Sequence, residues 1–395
     1  MNESSFCNNY PTVFVHGFLG NGDEPLLHKV YRDFGVFSMD MPKEMNRRGF
    51  ETFQPGVGPL NSIWDRCCIL WAYLVGGTVD FGKVHSEKNH HARYGRTYPG
   101  VLKDWGLEGA HKKINLLGHS FGGPTVCLFA TLLEAGSAEE RAGTPEDELS
   151  DLFKGGKGHL VHTVTTLSGA NNGTSATDLL GVKGRHFAGY LLYGLFMTFS
   201  ETRGARIFDM MNEHFGLMKD PYTNKDYHFT NPWKRKEELK NLVCGDDEVF
   251  WQLSVERNRQ QVKDYVMVPG AYYFARRVRM TEDNGKGHQK PLKGITPAFR
   301  LTVPLMERYR NPALGIDDSW APSDGIVSVR GTEAPAGMPC RPYDPAAVPE
   351  PGIWYVAEPT LGKDHQSYIG MAMEKDEYYT YFNDLLTLFR TLPDA

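Results

Sequence analysis

The sequence predicts an α/β fold in which a mostly parallel central sheet is flanked by helices. Short apolar segments suited to buried strands recur along the chain, and helical patterns fall between several of them, which is typical of a parallel sheet covered on both faces. The predicted strands are 12–16, 114–117, 161–167, 271–278 and 353–356. Helices are predicted after Ser120, across 255–265 and over 371–390. Residues 334–352, where Pro and Gly cluster, are predicted to form a long surface loop.

Size and composition indicate a globular protein with additions to its core. A chain of 395 residues exceeds the usual single-core size, so we expect either two domains or, preferably, one domain over 1–395 that carries insertions. Residues 56–100 and 178–250 do not fit a bare sheet-and-helix core and are the predicted insertions, and insertions tend to carry function. A net charge of −5 argues against a nucleic-acid partner held by bulk electrostatics.

Three further features bear on the compartment. The six cysteines form neither a C-x-x-C zinc pattern nor a dense disulfide framework. The first residues are polar and lack the apolar core of a signal peptide, so we expect a protein not exported by that route or a mature form with an added Met. The longest apolar run, 188–199, is too short to span a bilayer and predicts an interfacial or buried helix.

The most informative motif is G-x-S-x-G at residues 118–122, spelled Gly-His-Ser-Phe-Gly. It lies between the predicted strand 114–117 and an apolar helical segment that begins near Pro124. A serine on such a sharp strand-to-helix turn exposes its hydroxyl at the top of the sheet, and the flanking glycines remove β-carbons that would collide there. The motif therefore predicts Ser120 as a catalytic nucleophile.

A serine nucleophile needs a histidine base and an acid that orients it, and in this architecture the chain order is Ser, Asp or Glu, His. His365 lies in a loop after the last predicted strand, whereas His288 lies in a charged Gly/Lys loop typical of solvated surface. We therefore predict His365 as the base.

The candidate acids are Asp317, Asp318, Asp324 and Asp364. Asp324 is favoured because it stands in a tight turn that enters an apolar stretch. Asp317 and Asp318 are better placed to cap a short helix before Trp320. Asp364 is adjacent to His365, a geometry that rarely lets two side chains meet.

Acyl transfer also requires two backbone donors for the oxyanion. One is expected from Phe121, the residue after the nucleophile, and the other from Phe18 in the loop after the first strand. Because both donate through backbone N–H groups, large side chains are tolerated at either position.

The chain resembles the true lipases of the thermostable Bacillus-type and staphylococcal group over nearly its whole length. The resemblance is densest at VFVHGFLG (13–20), GPLNSIWDR (58–66), LVGGTVDFG (74–82), HARYGRTYPG (91–100), GHSFGG (118–123) and YRNPALGIDD (309–318). It implies an α/β-hydrolase fold, a triad of Ser120, Asp324 and His365, and oxyanion donors at Phe18 and Phe121. It also implies hydrolysis of carboxylic esters, triacylglycerols above all, through an acyl-enzyme.

The resemblance further implies a structural zinc site in the first insertion. The family's ligands correspond to Asp65, His85, His91 and Asp247, with His90 an alternative to His91 and Asp246 an alternative to Asp247. The spacing of these residues is not that of a zinc finger, but four N/O ligands suit a closed tetrahedral site with no position left for an activated water. Calcium is not expected, because Ser367 and Ala372 replace the family's acidic ligands.

Residues 178–215 correspond to the family's lid. Its apolar side chains are suited to cover a cleft in water and to turn toward a lipid surface, while the alternative is an ordinary buried helix. They are Tyr190, Leu191, Leu192, Leu195, Phe196, Met197 and Phe199. Family members are exported, so the resemblance also implies secretion. Two other functions stay open, a short-chain carboxylesterase or other acyl hydrolase, and a metal-dependent hydrolase.

Overall fold

The computed structural model describes residues 6–22, 32–36, 39–200, 209–217, 235–371 and 373–394. The strands are β1 Thr12–Val15, β2 Thr52–Phe53, β3 Gly77–Asp80, β4 Tyr94–Tyr98, β5 Ile114–His119, β6 Val161–Leu167, β7 Tyr272–Arg276, β8 Val278–Arg279, β9 Thr281–Asp283, β10 Gln289–Pro291, β11 Cys340–Pro342, β12 Trp354–Val356 and β13 Thr360–Leu361. The helices are α1 Met41–Arg47, α2 Ile63–Val75, α3 Lys83–Asn89, α4 Gly122–Ala135, α5 Ala138–Gly143, α6 Asp151–Lys154, α7 Ser175–Asp178, α8 Gly181–Ser200, α9 Lys236–Cys244, α10 Val249–Gln252, α11 Val255–Gln261, α12 Phe299–Arg308 and α13 Lys375–Thr391.

Seven strands form one sheet in the order β11-β12-β7-β6-β5-β1-β2. All neighbours in this sheet are parallel. Parallel neighbours need crossover connections, and α4 lies in the connection between β5 and β6. The predicted parallel sheet flanked by helices is confirmed.

Helices cover both faces of the sheet, and β1 shows how. Val13 and Val15 belong to the core that includes α2 and α4, whereas Phe14 belongs to the core that includes α13. The Phe14 ring lies 5.9 Å from the ring of Phe382 in α13, centroid to centroid. Because successive side chains of a strand point to opposite faces, an unbroken apolar strand such as TVFV fits a sheet buried on both sides.

Two of the differences between the observed and the predicted strands lie in the second half of the chain. The predicted strand 271–278 is divided, because β7 ends at Arg276 and β8 pairs with β13 outside the main sheet. The predicted surface loop 334–352 contains β11, whose three residues are exposed and pair only with β12 in the main sheet. Because β11 is exposed at the edge of the sheet, it lacks the apolar pattern of the interior strands. Its edge position also tolerates Pro342, which has no N–H to donate to a neighbouring strand.

The two predicted insertions contain distinct elements. Residues 56–100 hold α2, α3 and the antiparallel pair β3–β4. Residues 178–250 hold α8 and α9, and within them 201–208 and 218–234 lie outside the described residues, as does the side chain of Phe199. Among the helices that the structure describes, none combines the length and apolar character needed to cross a membrane.

Candidate active site and metal centre

Ser120 stands on the sharp turn between the end of β5 at His119 and the start of α4 at Gly122. Its φ of 55° lies in the left-handed region, which costs a non-glycine residue about 1–2 kcal/mol. A β-carbon at Gly118 would lie 2.1 Å from the carbonyl oxygen of Gly122, so this crossing of strand and helix requires glycine. The turn leaves the Ser120 hydroxyl beyond the carboxyl end of a central strand.

The three predicted triad residues lie in one hydrogen-bonded series. His365 Nε2 is 2.8 Å from Ser120 Oγ, and His365 Nδ1 is 2.7 Å from Asp324 Oδ2. A carboxylate only accepts, so Nδ1 carries the hydrogen and Nε2 presents its lone pair to the serine hydroxyl. The backbone N–H groups of Ile326 and Val327 donate to Asp324 Oδ1 and fix the carboxylate. This arrangement can accept the proton of Ser120 Oγ on the imidazole.

The other candidate acids and the other candidate base lie elsewhere. Asp317 caps the short helix Asp318–Trp320, as its sequence position predicted. Asp364 caps the short helix His365–Ile369, and its carboxylate accepts from backbone N–H groups rather than from the imidazole. The side chain of His288 is largely exposed and pairs with a glutamate.

The two predicted oxyanion donors lie beside the nucleophile. Neither the N–H of Phe18 nor that of Phe121 donates a hydrogen bond within the described part of the chain. Phe121 precedes the first turn of α4, where the helix dipole and free N–H groups favour negative charge. The Phe18 loop lies against the serine, since a β-carbon at Gly17 would be 2.8 Å from Ser120 Cβ.

Arg66, which was not predicted from the sequence, ties these two donor segments together. Its Nη1 donates to Gly58 O at 2.6 Å, its Nε donates to Thr125 Oγ1 at 3.0 Å, and its Nη2 donates to His16 O. The guanidinium carbon lies 4.9 Å from the centroid of the Phe121 ring. Burial lowers the pKa of Arg66 to about 9, which keeps the side chain protonated at neutral pH. Asp65 and Arg66 are the two charged residues of the mainly apolar helix α2, and this was the available sequence signal.

Two buried histidines beside the triad are neutral. Burial, together with the charge of Arg66, holds the pKa of His16 well below its usual range. Its Nδ1 donates to Gly17 O at 2.8 Å and its Nε2 accepts from Val57 N at 3.1 Å. Burial lowers the pKa of His119 to about 3, and His119 Nε2 donates to the carbonyl oxygen of His365 at 3.0 Å. Both imidazoles therefore act as fixed hydrogen-bonding groups around the site.

An apolar cavity of about 400 Å³ opens onto Ser120 and His365. Its lining includes Phe18, Leu180, Phe250, Leu253, Phe299 and Ile326. Pockets of this size, lined by apolar groups with a few converging polar ones, are typical of small-ligand sites. The cavity suits an apolar chain whose reacting carbonyl lies at the serine.

The four predicted metal ligands form one cluster. One ligand atom each from Asp65, His85, His91 and Asp247 lie within 4.8 Å of one another. Asp65 Oδ1, His91 Nε2 and Asp247 Oδ2 are buried and have no hydrogen-bond partner among the residues that the structure describes. Buried polar atoms normally have partners, so three orphaned ligand atoms that converge on one point fit a shared cation. This buried group could bind a metal ion.

The two carboxylates make the cluster electrostatically favourable for a positive charge. His85 Nε2 lies 3.3 Å from Asp65 Oδ1 and 3.3 Å from Asp247 Oδ2. Burial alone would lower the pKa of His85, but the two carboxylates outweigh it and raise that pKa to about 10. The alternative ligands do not join the cluster, because His90 is exposed and Asp246 pairs with Lys88.

His214, also not predicted, supports the cluster from behind. Its Nε2 donates to Asp65 Oδ2 at 3.2 Å, which leaves Asp65 Oδ1 facing the other ligands. Its ring stacks on Phe81 with centroids 4.2 Å apart. Such contacts orient metal-binding carboxylates.

Ala372, one of the positions where calcium ligands are absent from the sequence, lies outside the described residues.

Comparison with known proteins places the chain in a family. A family model described as the lipase-like C-terminal domain matches residues 8–392. The chain belongs to this lipase-like family. It is 31% identical to a lipase of Staphylococcus hyicus over 391 residues, which cover 96% of this chain and 58% of that protein. The predicted resemblance to staphylococcal lipases is thereby confirmed.

Solved structures of lipase-like proteins share the fold. EstA from Clostridium botulinum superimposes with a TM-score of 0.82 and 31% identity, covering 99% of this chain and 89% of that one. The crystal structure of the Staphylococcus hyicus lipase gives a TM-score of 0.83 and 26% identity, covering 98% of each chain. The fold is therefore of the α/β-hydrolase type. The chain spans 51% of a Staphylococcus epidermidis lipase, about half the length of the curated relatives it matches.

Proposed function

We propose that this protein is a serine-dependent lipase that hydrolyses carboxylic esters, triacylglycerols in particular. The observation that carries the proposal is the hydrogen-bonded series from Ser120 through His365 to Asp324 at the floor of an apolar cavity. Membership in the lipase-like family and relatives that are named lipases support it.

In the proposed mechanism each of these side chains has a separate role. Ser120 Oγ attacks the ester carbonyl carbon while its proton passes to His365 Nε2, and the carbonyl electron pair moves to the oxygen. The imidazolium, oriented by Asp324, then protonates the leaving alcohol, and the acyl group stays on Ser120. Water then attacks the acyl carbonyl carbon while His365 Nε2 accepts its proton. The imidazolium returns that proton to Ser120 Oγ as the bond between Oγ and the acyl carbon breaks, which releases the acid and restores the serine. The N–H groups of Phe18 and Phe121 donate to the tetrahedral oxygen.

The first test is Ser120→Ala, assayed on p-nitrophenyl esters. We expect kcat to fall to the level that the oxyanion donors and substrate binding alone provide, a loss on the order of 10³-fold or more, with an unchanged melting temperature. Retained turnover in a folded Ser120→Ala variant would refute the mechanism. A chain-length profile on ester emulsions separates a lipase from a short-chain carboxylesterase, because only the lipase prefers emulsified long-chain esters.

The exposed apolar residues of α8 and α12 fit a lipid surface as the partner of this protein. In α8, Phe187, Leu191 and Leu195 are 72%, 66% and 53% exposed and recur at a spacing of four residues, so they share one face. In α12, Leu301 and Leu305 are 75% and 57% exposed with the same spacing. Contiguous apolar patches of this kind mark interaction surfaces, and lipases act on aggregated lipid.

The inner face of α8 anchors the helix. Tyr193 is fully buried, donates to Leu60 O at 3.0 Å and accepts from Val249 N at 3.2 Å. Met197 on the same side is also buried. The apolar run therefore has one packed face and one exposed face, which is the arrangement that we propose for a lid helix. Replacing Leu191 and Leu195 by Ser should weaken activity on emulsions while sparing soluble esters.

For the metal centre we propose zinc in a structural role. Two imidazoles and two carboxylates are a donor set that Zn²⁺ accepts, and the three orphaned ligand atoms support its presence. When bound, zinc would neutralise the two buried carboxylates and fix α2 to the segment that carries Asp247. The ligands do not line the cavity at Ser120; His85 and Asp247 line a separate cavity of about 690 Å³.

Chelation tests this role against a metal-dependent hydrolase. Removing the metal should lower the melting temperature by several degrees, since a ligand that binds only the folded state stabilises it by mass action. Ester hydrolysis well below that temperature should persist. Immediate loss of all turnover at unchanged fold would instead support a catalytic metal.

A further inference from the structure

Arg66 is a buried cation whose hydrogen bonds go only to neutral groups. Its side chain is fully buried. Its three acceptors are two backbone carbonyls and the hydroxyl of Thr125, and no carboxylate of the described residues lies within ion-pair distance. Asp33, whose charge acts on the guanidinium from farther away, accepts instead from the backbone N–H groups of Asn21 and Gly22. Taking an ion out of water costs several kcal/mol, so an unpaired buried guanidinium calls for an explanation.

The guanidinium touches both segments that carry the oxyanion donors. Through His16 O it holds the strand end that leads directly into Gly17 and Phe18. Its carbon lies 4.9 Å from the Phe121 ring, and Thr125, which accepts from its Nε, donates in turn to Phe121 O at 2.9 Å. One side chain thus sets the separation of two N–H groups that belong to different segments of the chain.

We propose that Arg66 is the positioning residue of the oxyanion hole and that its positive charge stabilises the tetrahedral oxyanion. This inference rests on the proposed hydrolysis at Ser120. In the ground state the ester carbonyl oxygen is neutral, so the positive charge of Arg66 stabilises it only weakly. When Ser120 Oγ bonds to the carbonyl carbon, the oxygen becomes an anion in a site from which water is excluded, where a fixed positive charge acts strongly.

The proposal requires an effect on the transition state and little effect on substrate binding. Interactions that strengthen only as charge develops raise kcat, whereas those equal in both states change KM. A merely structural arginine would instead lower stability, with kcat retained in the folded fraction. Separate values of kcat and KM therefore distinguish the two roles.

The direct experiment replaces Arg66 by Met, which keeps the apolar stem, and by Lys, which keeps the charge but not the fork of donors. On a soluble p-nitrophenyl ester, Arg66→Met should lose on the order of 10²-fold in kcat with KM close to wild type, as for removal of an oxyanion donor. Arg66→Lys should lose less. Affinity for an alkylboronic acid, which forms an anionic tetrahedral adduct on the serine, should fall in parallel with kcat.

A second set of variants keeps Arg66 in place. Thr125→Val removes the acceptor of the Nε hydrogen and should lower kcat on the order of tenfold, the scale of a hydrogen bond to a charged group. Thr125→Ser restores the hydroxyl and should recover most of that loss. Thr131→Val is the matched control, because Thr131 lies on the same helix and donates to Cys127 O four residues back but does not contact Arg66.

The outcomes separate cleanly. A folded Arg66→Met with wild-type kcat and boronic acid affinity overturns the proposal. If Arg66→Met does not fold, a Thr125→Val variant that behaves like Thr131→Val overturns it. A wild-type protein that cleaves no ester contradicts the proposed function itself, and an active wild type with unaffected variants contradicts only the role of Arg66.

Discussion

Gly122→Ala provides the sharpest steric test of the proposed oxyanion geometry. Gly122 begins α4, and its φ does not lie in the left-handed region, so alanine meets no conformational penalty there. A β-carbon at this position would instead lie 2.2 Å from Val15 O and 2.9 Å from His16 O. Both contacts are backbone atoms at the end of β1, which cannot rotate away as a side chain can.

The size of the effect follows from these distances. Real β-carbons essentially never come closer than 3.0 Å, so the strand end and the helix must separate by about 0.8 Å at Val15 O. Overpacking of this kind costs about 1–3 kcal/mol of stability. The strand end leads into the Phe18 loop, and a displacement near 1 Å costs on the order of 10²-fold in rate. His365 and Asp324 lie on other segments, and Ser120 is two residues before Gly122 on the same turn, so whether the serine keeps its hydrogen bond to His365 is tested directly by labelling.

The assay is kcat on a soluble ester together with labelling of Ser120 by a fluorophosphonate. We expect kcat to fall about 10²-fold and the melting temperature to fall by several degrees, while the serine is still labelled. Gly194→Ala is the control, because a β-carbon there meets nothing within 4 Å, and it should gain up to about 1 kcal/mol from helix propensity. A Gly122→Ala variant with wild-type kcat would refute the placement of the Phe18 loop in the oxyanion site.

Three further predictions follow from single contacts. Asp324→Asn presents an N–H to the imidazole Nδ1 and forces the wrong tautomer, so kcat should fall on the order of 10⁴-fold, and turnover above a tenth of wild type would contradict the assigned acid. Burial lowers the pKa of His119 to about 3, so the unfolded chain binds this proton from about pH 6.5 downward and the folded protein does not. Stability should therefore fall by about 1.4 kcal/mol per pH unit on acidification below pH 6.5, as measured by urea unfolding, and His119→Gln should flatten that slope. His214→Phe keeps the stack on Phe81 but loses the hydrogen bond to Asp65, so zinc affinity measured by chelator competition should weaken about 10–100-fold; His214→Gln, which keeps a donor, should lose less.

The sequence was sufficient to predict those elements whose structure is determined by residues close together in the chain. The strand 161–167, VHTVTTL, is rich in β-branched Val and Thr, is buried throughout and matches β6 in full. The turn at Ser120 was predictable because the crossing of strand and helix demands glycine at fixed positions on either side. In contrast, β2 is two residues long and β11 is exposed, so neither carries an apolar repeat. Their pairing is decided by neighbours distant in the chain, which no window of sequence contains.

The sequence allowed a prediction of the proposed reacting groups but not of the residues that hold them in place. His365 and Asp324 occupy places that the chemistry of a serine nucleophile defines in advance. Arg66 and His214 contribute through partners far away in sequence: Arg66 reaches His16 O across 50 residues, and His214 reaches Asp65 across 149. The presence of an arginine or a histidine in the sequence does not indicate which distant residue its side chain will contact. The local sequence signal for Arg66 is its position beside Asp65 in a helix whose other residues are uncharged.

The N-terminal turns of α2 connect the candidate metal centre to the proposed catalytic site. Asp65 and Arg66 are consecutive, so their side chains leave the helix about 100° apart. Asp65 points to the cluster with His85, while Arg66 points to the carbonyl of His16. Whatever fixes the rotation of this helix about its axis fixes both contacts at once. A cation held by Asp65 would therefore restrain the guanidinium near the proposed oxyanion donors, so a structural metal would support ester hydrolysis without entering the cavity where the ester reacts.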